Sequence, residues 1–272
     1  MRSDLHVHST ASDGTLTPRA LLALARHNDV EVLALADHDS VAGLDEARGA
    51  ALDFDVNLVP AVELSATDDG RDVHVLAYHI DSENPEVGEL LSTAREARIR
   101  RAQTMVAALR EGGLDIDLED VYAISGAATL GRSHVARALV ARGHATSVTD
   151  AFSRLIGHDR PFYVPKPSRP SHEVITTVRR LGAVPVLAHP GITKVDDLIP
   201  SMVASGLLGI EAYHADHDAS TRARYARLAA QLGLIATGGT DYHGPDSPNP
   251  DLGSVDVPAD QVRRLLRLGV RS

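Results

Sequence analysis

No cysteine occurs in this 272-residue chain, which excludes disulfides, thiolate catalysis and zinc–thiolate sites. Lysine is nearly missing too: Lys166 and Lys194 stand alone among 27 basic residues, and the arginines that replace it suit bidentate contacts with phosphate. No apolar run approaches the roughly 20 residues of a membrane span. Residues 1–14 enter a charged strand directly, with no apolar secretory segment, so a cytoplasmic location is expected. The net charge of −10 argues against a broad electrostatic footprint for nucleic acid. Bound divalent ions would offset part of it locally. With 43% apolar residues and ordinary Gly and Pro, the chain fits one large domain, or one domain carrying an insertion. Histidine is in surplus, with 14 residues, and its placement is the informative feature.

His6 and His8 sit two apart in a stretch that reads as a strand from Leu5 to Ser9. Strand side chains alternate, so both imidazoles face one way. The following Ser-Thr-Ala-Ser-Asp-Gly is turn chemistry that sets Asp13 just beyond them. Two histidines and a carboxylate at a strand's end suit a divalent metal. The alternative is a surface strand with two outward polar residues.

Downstream, Thr17-Pro18 starts a helix to about His27, followed by a strand over 30–36, a helix over 41–52 and a strand over 57–64. This βαβαβ rhythm implies parallel strands in an α/β fold. Residues 72–80 have strand character and carry His74. From 84 to 161 the rhythm gives way to helices over 86–111, 118–124, 133–142 and 149–156, and a linker with four prolines over 161–170 closes the segment. We expect a mostly helical insertion, 84–161, covering the active site of a barrel built from 1–83 and 162–272. Alternation then resumes: strands over 184–188, 207–212 and 234–237, helices over 171–181, 195–205, 219–232 and 260–268.

His6, His8, Asp13, His38, Glu63, His189, His214, Asp241 and His243 all fall at or just after predicted strand ends. That is the end where α/β barrels and sheets build active sites. Surface solvation would scatter such residues instead. Mixed imidazole and carboxylate ligation suits Zn, Mn or Fe, and clustered ions of this kind serve displacement at phosphorus. No G-x-S-x-G nucleophile elbow is present.

The stretches DLHVHSTASDG, LALADHDSVAG, VPAVELSA, HVLAYH, VLAHPG and GGTDYHG together resemble the polymerase and histidinol phosphatase (PHP) family. The resemblance implies a distorted (βα)7 TIM-like barrel, a trinuclear metal site and phosphoesterase activity. It would place His6, His8, Glu63 and Asp241 on a first metal. Glu63 would bridge to a second held by His74 and His189, and Asp13, His38 and His243 would hold a third. Two to three divalent ions (Mn, Fe or Zn) are the implied cofactor, with a metal-bridging hydroxide as nucleophile near the catalytic residues His8, Glu63 and Asp241. Residues 131–137 and 161–166 resemble the subgroup that acts on nucleotide 3′,5′-bisphosphates and 5′-phosphorylated RNA. On that basis Arg132 and His134 would reach a substrate phosphate, and His214 is a candidate substrate contact. Ser133 stands where that subgroup usually has Pro, and Arg132 is favoured because other cations are hard to find near the acidic cluster. His79, five positions from His74, is read as structural.

The expected partner is therefore a small phosphorylated substrate, a nucleotide or short RNA, with no membrane and no obligate protein partner. Histidinol-phosphate phosphatase and cyclic-phosphate hydrolase are alternatives on the same metal site. A non-catalytic metal-binding module is the alternative from a different class.

Overall fold

The computed structural model describes residues 1–166, 168–249 and 251–269. Pro167, one of the four linker prolines, Pro250 and residues 270–272 lie outside the described residues.

Seven strands form one sheet in chain order: β1 (Ser3–Val7), β2 (Val32–Leu35), β3 (Asn57–Asp68), β4 (Arg71–Tyr78), β5 (Val184–Leu187), β6 (Gly209–His214) and β7 (Ile235–Gly239). Just beyond β7 the sheet curls onto β1: Asp241 N–H donates to His6 O and His8 N–H to Tyr242 O, both at 2.9 Å. Buried Asp4 fastens this seam, accepting from Thr240 N and Oγ1 and from Gly253 N. The result is the distorted seven-stranded barrel that the family resemblance implied.

The parallel pairing expected of the βαβαβ segment is present, with β1, β2 and β3 running parallel. The strands are not all parallel, because β4 runs antiparallel to both β3 and β5. A direct connection through Asp69 and Gly70, both at positive φ, turns β3 straight back into β4. A parallel pairing would need a crossover helix, and the chain supplies none between 68 and 71. The hairpin carries β3 four residues past Leu64, its expected end, and sets Ser65 opposite His74.

The strand side chains divide by parity. Leu33 and Leu35 face outward into the layer formed by α1 (Pro18–His27), α2 (Leu44–Phe54), α7 (Ser171–Arg180) and α10 (Ala219–Gln231). Val32, Ala34 and Ala36 face the other way, into an apolar cluster with Leu76, Tyr78 and Val186 that is closed by Val262 and Leu265 of α11 (Ala259–Leu268). A short turn α8 (Pro190–Thr193) precedes the expected helix over 195–205, which is itself divided into a 3-10 turn over 196–198 and α9 (Ile199–Ala204). Pro200 sits at the start of α9, where its missing N–H costs nothing.

Between β4 and α7 run α3 (Pro85–Glu111), α4 (Leu118–Ser125), α5 (Arg132–Ala141) and α6 (Val148–Ala151), the last continued by a π-helical turn over 152–156. These helices share an apolar cluster of their own, centred on Met105, Leu109, Val121, Val135, Leu139 and Ile156. Polar bonds tie them to the strand ends. Arg98 reaches Asp39, and Arg137 reaches the carbonyl of Asp13.

Candidate metal centre

The ends of β1, β3 and β7 bring His6, His8, Glu63 and Asp241 to one point. His6 Nε2 and His8 Nε2 are 3.1 Å apart, and His8 Nε2 is 3.0 Å from Asp241 Oδ1. Both imidazoles lie 3.3 Å from Glu63 Oε2, and His6 Nε2 is 3.5 Å from Asp241 Oδ1. Donors bonded at roughly 2.0–2.1 Å to one metal are spaced about 2.9–3.4 Å from each other, the edges of an octahedron or tetrahedron of that size. Four of the five measured separations fall in that spacing, and the fifth, 3.5 Å, lies just beyond it. Glu63 Oε2 and Asp241 Oδ1 are moreover buried without a hydrogen-bond partner, a costly state unless a cation is shared. This donor set fits a divalent ion.

The other oxygen of Glu63 faces a second pair of imidazoles, with His74 Nδ1 at 2.7 Å and His189 Nε2 at 2.9 Å. On the opposite side, Asp13 Oδ1 lies 3.2 Å from His243 Nε2, and these two gather with His8 and His38 into a third possible ligand group. His38 stands between groups, since its Nδ1 is 2.9 Å from Glu63 Oε2 although neither atom has a properly directed hydrogen bond.

Local backbone explains the convergence. Gly14 ends the first turn where a Cβ would collide with the carbonyl of His8, so the Asp-Gly pair can fold back and aim Asp13 inward. A Cβ on Gly239 would strike His6, so β7 can lie close to β1 only with glycine there. Asp241 (φ 54°) and His189 (φ 28°) occupy the left-handed region. His189 does so directly before Pro190, a position biased toward extended backbone. Strain of this kind gathers at functional sites.

Protonation follows burial and the carboxylates. Burial opposes charge on His8, yet Asp241 and Glu63 raise it to about 10. His6 is likewise raised well above the usual histidine range, burial being overcome by Glu211, Asp241 and Glu63. Burial dominates at His38 and lowers it to about 3. Burial also works against the charged forms of Glu63, Asp13 and Asp241, but surrounding histidines hold all three well below the ordinary carboxylate range. The raised His6 and His8 favour protons that offset part of the carboxylate charge, and a bound metal would displace them.

Several residues that the sequence reading passed over hold the cluster in place. Glu211 of β6 is fully buried. It accepts from His6 Nδ1 at 3.0 Å and from His189 N at 2.8 Å, which leaves His6 Nε2 to face the centre. A glutamate inside the apolar run of β6 was the available signal, because a buried carboxylate must be paired. Asp37 and Asp39 flank His38 and bracket it. Asp37 accepts from Ser9 N, Ser9 Oγ and Ser12 Oγ, fixing the turn that carries Asp13. Asp39 accepts from Ser65 N, Ser65 Oγ and Arg98 Nε. Ser133, the departure from the subgroup's Pro, donates from Oγ to Asp13 Oδ2 at 2.7 Å.

The expected scarcity of cations is wrong. Arg98 and Lys166 are both buried, and both reach Ser65 beside Asp39. Burial and Arg98 lower Lys166 to about 7. Arg101 and Arg132 lie next to them and share Asp72 Oδ2, at 3.6 and 3.7 Å, with the Tyr163 hydroxyl at 3.4 Å. Helical packing of the 84–161 segment brings Arg98 and Arg101 in from far along the chain, so strand-end counting could not see them.

A model of the PHP domain matches residues 4–160. The chain belongs to the PHP family. It is 35% identical to the phosphoribosyl 1,2-cyclic phosphate 1,2-diphosphodiesterase of Eggerthella lenta, over 93% of this chain and 98% of that one. It is 30% identical to the 3′,5′-nucleoside bisphosphate phosphatase of Chromobacterium violaceum, over 93% and 91%. A crystal structure from Bifidobacterium adolescentis, described as a metal-dependent phosphoesterase, superposes with a TM-score of 0.91 at 37% identity, covering 98% of this chain and 96% of that one. This PHP chain is thus a metal-dependent phosphoesterase by family and fold.

The remaining sequence candidates of this PHP protein are placed as follows. His214 is fully buried, with Nδ1 accepting from Asp216 N and Nε2 3.7 Å from Asp241 Oδ2. His134 is buried, and its Nδ1 accepts from Gly131 N at the start of α5, so the ring is tied to the fold rather than open to solvent. Arg132 keeps 27% of its side chain exposed. His79 bonds the carbonyl of Leu265, away from the cluster. No described helix is long and apolar enough to cross a membrane.

Proposed function

We propose that the protein hydrolyses a phosphate ester of a nucleotide that carries a second phosphate, such as a 3′,5′-bisphosphate or the 5′ end of a short RNA. The observation that carries this reading is a metal-type donor cluster with a separate, under-neutralised pair of guanidinium groups beside it. Two arginines and a tyrosine share one oxygen of Asp72 at 3.4–3.7 Å, longer than the 2.7–2.9 Å of a charge-assisted bond. Arg101 NH2 is buried with no hydrogen bond. A phosphate dianion would satisfy these donors better than a single carboxylate oxygen does.

His6, His8, Glu63 and Asp241 would hold one ion, Glu63, His74 and His189 a second, and Asp13, His38 and His243 a third. Zn, Mn and Fe suit such ligands. When bound, the ions supply a nucleophilic water at neutral pH and neutralise charge on the phosphoryl oxygens. The chain's own residues do the rest. His8, Glu63 and Asp241 would set where the ions, and so the reacting phosphate, are held, while Glu211 orients His6. Arg132 takes the second phosphate with Arg101, and His134 holds the start of α5, from which Arg132 projects. The 84–161 helices form the cap that covers the site and carries these arginines.

The test is phosphate release from adenosine 3′,5′-bisphosphate by protein purified without chelator, with metal content measured alongside. Chelation should abolish turnover, and Mn, Fe or Zn should restore it. A charge-assisted contact contributes roughly 1.5–3 kcal/mol. Arg132→Ala should therefore lower kcat/KM for the bisphosphate about 10- to 100-fold relative to its effect on a substrate with one phosphate. Full turnover with less than one ion per chain, or equal losses on both substrates, would refute the assignment.

A further inference from the structure

A cleft of about 760 Å³ opens beside the metal centre and shares Asp241 and His243 with it. A molecule lying in this cleft would be in contact with the reacting end of the site. Its walls combine an aromatic ring, Phe152, with the apolar edges of Val148 and Pro248 and the amide of Asn249. Its charge is opposite to that of the arginine cluster. Asp216 and Asp246 line it with Asp241, and the cation in its wall, Arg137, already donates to the Asp13 carbonyl at 2.5 Å. Asn249 Nδ2 donates to Asp216 Oδ2 at 3.2 Å, which orients the amide at the rim. A second phosphate is repelled from such a surface. A flat, neutral heteroaromatic group that presents N–H donors is attracted to it.

Phe152 links the two ends. The Arg132 guanidinium lies 5.5 Å from the ring centroid, while the same residue lines the cleft. The ring belongs to the π-helical turn over 152–156, an irregularity that recurs at functional sites. The volume falls within the range of sites that enclose a nucleotide-sized ligand.

We propose that this cleft is a nucleobase subsite, with the base against Phe152 and its exocyclic amine directed toward Asp216 and Asn249. It fixes the substrate's direction: base toward the β7 side, reacting phosphate at the metals, second phosphate toward Arg101 and Arg132. The proposal rests on the bisphosphate reading above and deepens it. Stacking of a base on an aromatic side chain, worth roughly 1–3 kcal/mol, corresponds to about 5- to 100-fold.

The experiment compares kcat/KM of the metal-loaded enzyme on adenosine 3′,5′-bisphosphate and on the same bisphosphate of an abasic tetrahydrofuran sugar. Calorimetric binding of adenosine 5′-monophosphate and of the abasic 5′-phosphate accompanies it. The wild type should prefer the base-bearing compound at least about fivefold. That ratio should fall toward unity in Phe152→Ala and drop several-fold in Asn249→Ala. Asn249 stands on a surface loop outside the apolar clusters, so it keeps the test valid if Phe152→Ala fails to fold. Equal use of both bisphosphates by the wild type, or a ratio unmoved in Asn249→Ala and any folded Phe152→Ala, overturns the subsite and leaves the bisphosphate reading standing. If neither bisphosphate is hydrolysed while a phosphoribosyl cyclic phosphate is, the bisphosphate reading fails and takes the subsite with it.

Discussion

Arg98→Ala tests how the helical segment is fixed to the barrel. Arg98 is 6% exposed and its partner Asp39 is fully buried. The guanidinium donates from Nε to Asp39 at 2.5 Å, from NH2 to Ser65 Oγ at 3.0 Å and from NH1 to the Leu130 carbonyl at 3.4 Å. Removing it leaves a buried carboxylate that has lost its main counter-charge, a change that costs about 3–5 kcal/mol. Ser65 still donates two bonds to Asp39, and Lys166 lies near enough to help hold its charge. The low end, about 3 kcal/mol, is therefore expected. For a chain of this size each kcal/mol shifts Tm by roughly 2–4 °C, so melting should fall by about 6–12 °C. The measurement belongs on chelated protein, where metal binding cannot add linked stability. Adding Asp39→Asn to Arg98→Ala should recover much of the loss, because it removes the stranded charge while keeping an acceptor for Ser65 N. A shift below about 2 °C in the single variant, or no recovery in the double, would refute the view that this pair clamps α3 to the strand ends.

Glu211→Ala should weaken metal retention about 10- to 100-fold, the usual cost of losing a carboxylate behind a ligating histidine, and Glu211→Gln should recover part of it by still accepting from His6. Competition with a graded series of chelators, read as metal content, checks this, and unchanged retention in Glu211→Ala would sink it. Lys166, lowered to about 7 by burial and Arg98, binds fewer protons in the folded chain than in the unfolded one between about pH 7 and pH 10. Wild-type stability relative to Lys166→Met should therefore rise with pH across that window. Paired urea titrations at several pH values test the sign, and a flat or falling difference contradicts it.

The sequence by itself determined the βα rhythm, the strand-end gathering of histidines and carboxylates, and the family. Each depends on short-range regularity. Two-residue spacing puts His6 and His8 on one face, Asp-Gly makes a turn, and Thr17-Pro18 starts a helix. Such features are fixed within a few residues of backbone. Tertiary structure decided what depends on distant partners. The antiparallel course of β4 follows from the tight turn at Asp69-Gly70, which the parallel rhythm of the neighbouring segments concealed. Glu211 meets His6 across 205 positions, and Arg98 meets Asp39 across 59. A charged residue in an apolar strand announces that a partner must exist, but only the closed barrel says which. His134 is a further case: its motif named the residue, but only packing shows its Nδ1 accepting from Gly131 N at the first turn of α5. The cationic cluster beside the metal centre arises because helix α3 crosses the strand ends, and local periodicity carries no information about where a helix docks.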